Sequence, residues 1–98
     1  MRMMMTVKIP VEHGNRAIRD GSMQTAFDDL IAKLQPEAMY FMMLDGMRAA
    51  IFVYDLKDGE TYKLLGFHEP LFAAVGALID EQPVLNWDDM QKAMTDGG

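Results

Sequence analysis

Between Glu37 and Asp55, two apolar runs flank the dipeptide Asp45-Gly46. Asp-Gly readily adopts the positive φ values of a type I′ turn, whose twist matches that of the strands it joins, so this stretch predicts an antiparallel hairpin with a two-residue turn. Counting outward from the turn, Leu44 pairs with Met47, Phe41 with Ala50 and Ala38 with Val53. One face then carries Ala38, Tyr40, Met42, Leu44, Met47, Ala49, Ile51 and Val53. The other carries Met39, Phe41, Met43, Ala50 and Phe52, with Arg48 as its only polar member. A sheet with helices on one side alternates apolar and polar residues, so two apolar faces predict cover on both. The chain is too short to supply two helical layers, and a second copy of itself is the expected cover.

Elsewhere the periodicity places further elements. Met3, Met5, Val7 and Ile9 alternate with Arg2, Met4, Thr6 and Lys8, a half-buried strand that Pro10 ends. Glu12 to Asn15 reads as a turn, followed by a helical turn over Arg16 to Asp20, an interruption at Gly21-Ser22, and a helix from Met23 to Leu34. In that helix Phe27, Leu30, Ile31 and Leu34 form one stripe facing the sheet, and Pro36 stops it. After the hairpin the pattern predicts a short helix over Glu60 to Gly66, a break at Pro70, a further short turn over Leu71 to Ala74, and a strand from Val75 to Leu85. Pro83 cannot donate to a ladder, which sends that strand to an edge. Asn86 caps a last short helix in which Trp87, Met90 and Met94 share a face. This order predicts an α+β, ferredoxin-like βαββαβ sandwich with a short C-terminal helix and an antiparallel sheet in the order 4-1-3-2, helices on one face and the other open to a partner's sheet.

Composition narrows the classes of function. A length of 98 residues fits one domain, residues 1–98. The formal charge of −6, from 15 acidic and 9 basic residues, argues against nucleic acid, whose phosphates need a basic patch. With no Cys, thiolate chemistry, disulfides and sulfur-bound zinc are excluded. No signal peptide or membrane span is expected, which makes a cytoplasmic protein the default. Eleven residues are Met, a side chain suited to irregular cores and adaptable binding surfaces.

Several segments carry a resemblance: Gly14-Asn15-Arg16-Ala17-Ile18-Arg19-Asp20-Gly21, Gln35-Pro36-Glu37-Ala38-Met39-Tyr40-Phe41, Asp45-Gly46-Met47-Arg48, Glu69-Pro70-Leu71-Phe72 and Pro83-Val84-Leu85-Asn86. In these the chain resembles small proteins of the dimeric α+β barrel superfamily, relatives of the muconolactone-isomerase-like and antibiotic-biosynthesis-monooxygenase-like domains. The resemblance implies a ferredoxin-like fold and a homodimer formed through the open sheet face. No catalytic motif of the enzymatic relatives maps onto this sequence, so it implies no active-site residue.

Candidate chemistry is sparse. His13 and His68 are the side chains that titrate near neutrality, each beside a Glu, and either is a candidate acid/base; against this, adjacent residues point different ways. No metal-ligand spacing is present, and no metal or cofactor is expected. Arg16, Arg19 and Arg48 are candidates to grip a carboxylate or phosphate, with Gly14 letting a ligand approach a helix start, although lone arginines are usually solvated or paired. Tyr40, Tyr54, Tyr62, Phe52, Phe67 and Phe72 are candidate walls of a small-molecule cleft, each also at home in a core. These features predict a homodimeric domain that binds a small, partly apolar molecule or acts as an interaction module. The alternative is a cofactor-free isomerase or oxygenase using His13 or His68.

Overall fold

The computed structural model describes residues 1–96. Gly97 and Gly98, the end of the expected 1–98 domain, lie outside the described residues. In chain order the elements are β1 (Arg2–Ile9), α1 (Val11–Asp20), α2 (Ser22–Leu34), β2 (Ala38–Leu44), β3 (Met47–Asp55), α3 (Lys63–Val75), β4 (Leu78–Pro83) and α4 (Trp87–Asp96). This is an α+β fold. Its one described sheet is antiparallel and four-stranded, in the order β2-β3-β1-β4, or 4-1-3-2 counted from β4.

The hairpin forms in the register that a two-residue turn dictates, from Leu44 opposite Met47 to Ala38 opposite Val53. Asp45 at φ 53° and Gly46 at φ 76° supply the left-handed pair that a type I′ turn requires. Strand β1 lies between β3 and β4, and its alternation is strict: Met3, Met5, Val7 and Ile9 are buried while their neighbours are half-buried. The buried set faces Phe52, Tyr54 and Ala50 across the ladder on the same side of the sheet. Over that side pack Ala17 of α1, Phe27, Leu30 and Leu34 of α2, and Phe67, Leu71 and Val75 of α3, forming one core. Phe52 sits at its centre, fully buried, with Phe27 stacked 6.1 Å away and Phe41 edge-on at 6.3 Å. No helix of the described residues is long and apolar enough to cross a membrane.

Several boundaries differ from the sequence pattern: the third helix starts at Lys63 and not Glu60, the last strand ends at Pro83 and not Leu85, and three further differences have a local reason. Helix α1 begins at Val11, so the expected turn over Glu12 to Asn15 is helical. The Pro10 carbonyl already accepts from the Gly14 N–H at 2.9 Å, because proline's fixed φ suits a helix start. Helix α3 runs unbroken through Pro70. Proline removes the bond to the carbonyl four residues back, here that of Gly66; both residues are exposed, so water can take the freed oxygen. Strand β4 starts at Leu78, since Val75 still belongs to α3 and Gly76, at φ 61°, ends that helix.

The opposite side of the sheet carries no helix of the core. It presents Tyr40, Met42, Leu44, Ile51 and Val53 from the hairpin, with Ala49 buried among them, and, toward β1 and β4, Met4, Thr6 and Leu78 beside the polar Arg2, Lys8, Asp80 and Gln82. Helix α4 buries none of its residues. Asn86 and Asp89 cap it reciprocally, each donating its backbone N–H to the other's side chain at 3.1 and 2.8 Å, and Arg2 reaches Asp89 at 3.3 Å. Its expected apolar face, with Trp87, Met90 and Met94, is exposed, and the molecule measures 53 × 29 × 17 Å.

Removing the central ring should cost most. Phe52→Ala is expected to lower the unfolding free energy by about 3–5 kcal/mol in a urea titration. Leu65→Ala, at an exposed position of α3, should change it by no more than about 0.5 kcal/mol.

Candidate functional site

Strand β2 is an edge strand, and α1 and α2 stop short of it. Its helix-side residues Met39, Phe41 and Met43 are therefore exposed, although they share a face with buried Phe52 and Ala50. The gap is a cleft of about 690 Å³. Ile18 of α1 lies at one wall, Met23, Phe27 and Ile31 of α2 form another, and Phe41 of β2 lines the far side. Phe27 and Phe41 meet edge to face at 6.0 Å. Small-molecule sites have this size and this apolar character with a few polar groups.

The principal polar group is Arg48, half-buried on β3 at the end of the sheet. Its Nη2 donates to Asn15 Oδ1 at 3.0 Å. Its Nη1 lies over Gly14, and a Cβ built on Gly14 would come within 2.7 Å of that nitrogen. Glycine inside a helix costs about 1 kcal/mol relative to alanine, and here it leaves room for the guanidinium. Gln24 and the exposed carboxylate of Asp28 complete the polar part of the lining.

A second cluster lies between α3 and β4. Tyr54 Oη donates to Glu81 Oε1 at 2.5 Å, and His68 Nε2 lies 3.0 Å from the same oxygen. The other oxygen, Oε2, is buried with no partner. Burial, then the Glu81 carboxylate, pushes the Tyr54 phenol well above its ordinary value of 10.0. Glu81 matches no catalytic motif, yet it lies on the same side of β4 as Ile79, two residues earlier, which packs against the core. Strand alternation alone would have turned this carboxylate inward.

The other candidates scatter. His13 is exposed on α1, with its ring against Gly76 at the end of α3. Neither His13 nor His68 lines any of the described clefts. Arg16 is exposed and does not line the apolar cleft. Tyr40 stands on the open side of the sheet. Tyr62 and Phe67 do meet, in a smaller cleft of about 430 Å³ with Tyr54 and Leu34. Phe67 packs edge-on against Tyr54 at 5.7 Å, while Phe72 lies beside His68 with ring centres 6.4 Å apart. Among the described residues no group of three or more His, Cys, Asp or Glu is placed to hold a metal ion.

No family model matches the chain. No curated protein matches it. Among solved structures it is similar to "De novo designed protein Ferredog-Diesel", at 10% identity over 85% of each chain with a TM-score of 0.44.

The raised phenol has a consequence for stability. A folded state that holds its proton more tightly than the unfolded chain keeps its full stability below the unfolded value near pH 10 and loses it as the pH rises beyond. Tyr54→Phe should cost about 1–2 kcal/mol at pH 7 through the lost hydrogen bond to a carboxylate. It should also flatten the decline above about pH 10 when denaturation midpoints are compared across alkaline buffers.

Proposed function

We propose that the chain is a homodimeric ferredoxin-like module of the dimeric α+β barrel kind, which binds a small, partly apolar molecule in the cleft between α2 and the hairpin. The observation that carries the binding reading is the 690 Å³ cleft itself. Its walls stand on secondary structure, so the space exists without a ligand to order it, and the ordering cost of binding is small. Aromatic rings and thioethers line it, which suits an apolar body of variable shape.

The dimer is supported by the open side of the sheet. Its hairpin half carries exposed Tyr40 with half-buried Met42, Ile51 and Val53, and apolar side chains grouped in this way favour an interface. Met42, Ile51 and Val53 sit only half-exposed there even without a partner, and a second sheet would dry them.

A second reading rests on the Glu81 contact. A carboxylate that fixes one nitrogen of an imidazole is the arrangement by which a general base is oriented, and it favours His68 over His13 as the acid/base of a cofactor-free isomerase or oxygenase. If His68→Gln leaves turnover of every responsive substrate unchanged, this reading fails.

Light scattering at micromolar concentration should give twice the mass of the chain, and Ile51→Asp should give the mass of one chain with its helix content intact. A variant that stays dimeric would remove the open face as the interface. For the cleft, titration with an anilinonaphthalene sulfonate should show saturable fluorescence that Ile18→Trp, narrowing the mouth, weakens by roughly tenfold, about 1.4 kcal/mol. Equal affinity in both proteins would place the probe elsewhere.

A further inference from the structure

The polar end of the cleft says which class of molecule would enter it. Arg48 carries a full positive charge at the edge of an apolar space, and none of the ion pairs among the described residues includes it. A guanidinium has five N–H donors in a rigid fork. One of these is directed to Asn15 Oδ1, a neutral acceptor that fixes the group without cancelling its charge. On the other side Gly14 lets the guanidinium lie against the helix backbone. The side chain is thus held from two directions and keeps its charge. Asp28, the one acid in the lining, is exposed on α2 and makes no ion pair with Arg48.

We infer that the cleft selects a monocarboxylate with an apolar alkyl or aryl body, the carboxylate on Arg48 and the body against Phe27, Phe41 and Met23. This rests on the cleft being a binding site. The guanidinium N–H groups not directed to Asn15 are left to donate to a carboxylate, and such charge-assisted bonds are the strong ones. The same cleft would hold an uncharged molecule of equal length less well, because binding it leaves the guanidinium partly desolvated without an anion. Charge complementarity, more than shape, therefore names the occupant.

Decanoate and decan-1-ol share an apolar body and differ in the head group, so isothermal titration of both at pH 7 separates the two levels of the reading. The wild-type protein should bind decanoate at least roughly tenfold more tightly than decan-1-ol. Arg48→Met should abolish that preference, weakening decanoate at least roughly tenfold and binding decan-1-ol no more weakly than the wild-type protein does, because no guanidinium is left to desolvate. Methyl NMR shifts on adding decanoate should appear at Met23 and Ile31, not at Met4 and Val53 on the open face. Should Arg48→Met not fold, Arg48→Lys, which keeps the charge and loses the fork, and Gly14→Ala, which displaces the guanidinium, are each expected to weaken decanoate several-fold. If decan-1-ol binds in the cleft as tightly as decanoate and the Arg48 and Gly14 variants change neither, the carboxylate assignment is overturned and the cleft stands as an apolar site. If neither compound shifts the cleft methyls, the binding reading fails with it.

Discussion

The core exists only where helices cover the sheet, and α1, α2 and α3 cover one side of it. They dry the inner side of β1 and β3, where Met5, Val7, Phe52 and Tyr54 are fully buried, and they go no further. The apolar cleft lies at the limit of that cover. The inner side of β2 extends past α2 and becomes a cleft wall, while the outer side of the whole sheet has no helix of its own. The helical layer cannot be widened cheaply, because each added helix must bury a stripe of its own against the same core.

Much of the fold was legible in periodicity. The hairpin register follows from Asp45-Gly46 alone, and the strict alternation of β1 from Arg2 to Ile9 marks its buried side residue by residue. The stripe of α2 behaves likewise. Misreadings cluster at glycine and proline, where local preference and tertiary contact pull apart. Gly14 looks like a turn residue, but it is a helical residue made small by Arg48, which is distant in sequence and adjacent in space. Pro70 looks like a helix end, but solvent access to Gly66 lets α3 continue.

The candidate site was legible in its ingredients more than in its assembly. Arg48 stands out in the sequence as the one polar residue on an apolar hairpin face, and Gly14 as a place of close approach. Their meeting with Asn15 depends on how α1 folds back over the end of β3, which no local pattern encodes. The Tyr54, Glu81 and His68 cluster is harder still, since it joins β3, β4 and α3. Only the phase of Glu81 with Ile79 foreshadowed it. His68, the conspicuous residue in the sequence, meets one less conspicuous neighbour, Glu81, which Tyr54 holds from the other side.

The abundance of methionine has one further consequence. Met3 and Met5 are shielded in the core, but Met39 and Met43 flank the cleft strand and Met90 and Met94 lie along α4, all open to solvent. Peroxide converts a thioether to a sulfoxide, which is polar and can be enzymatically restored. In a chain without cysteine, these outer sulfur atoms would be oxidised before the shielded ones, making the exposed faces of β2 and α4 more polar while the interior stayed chemically intact.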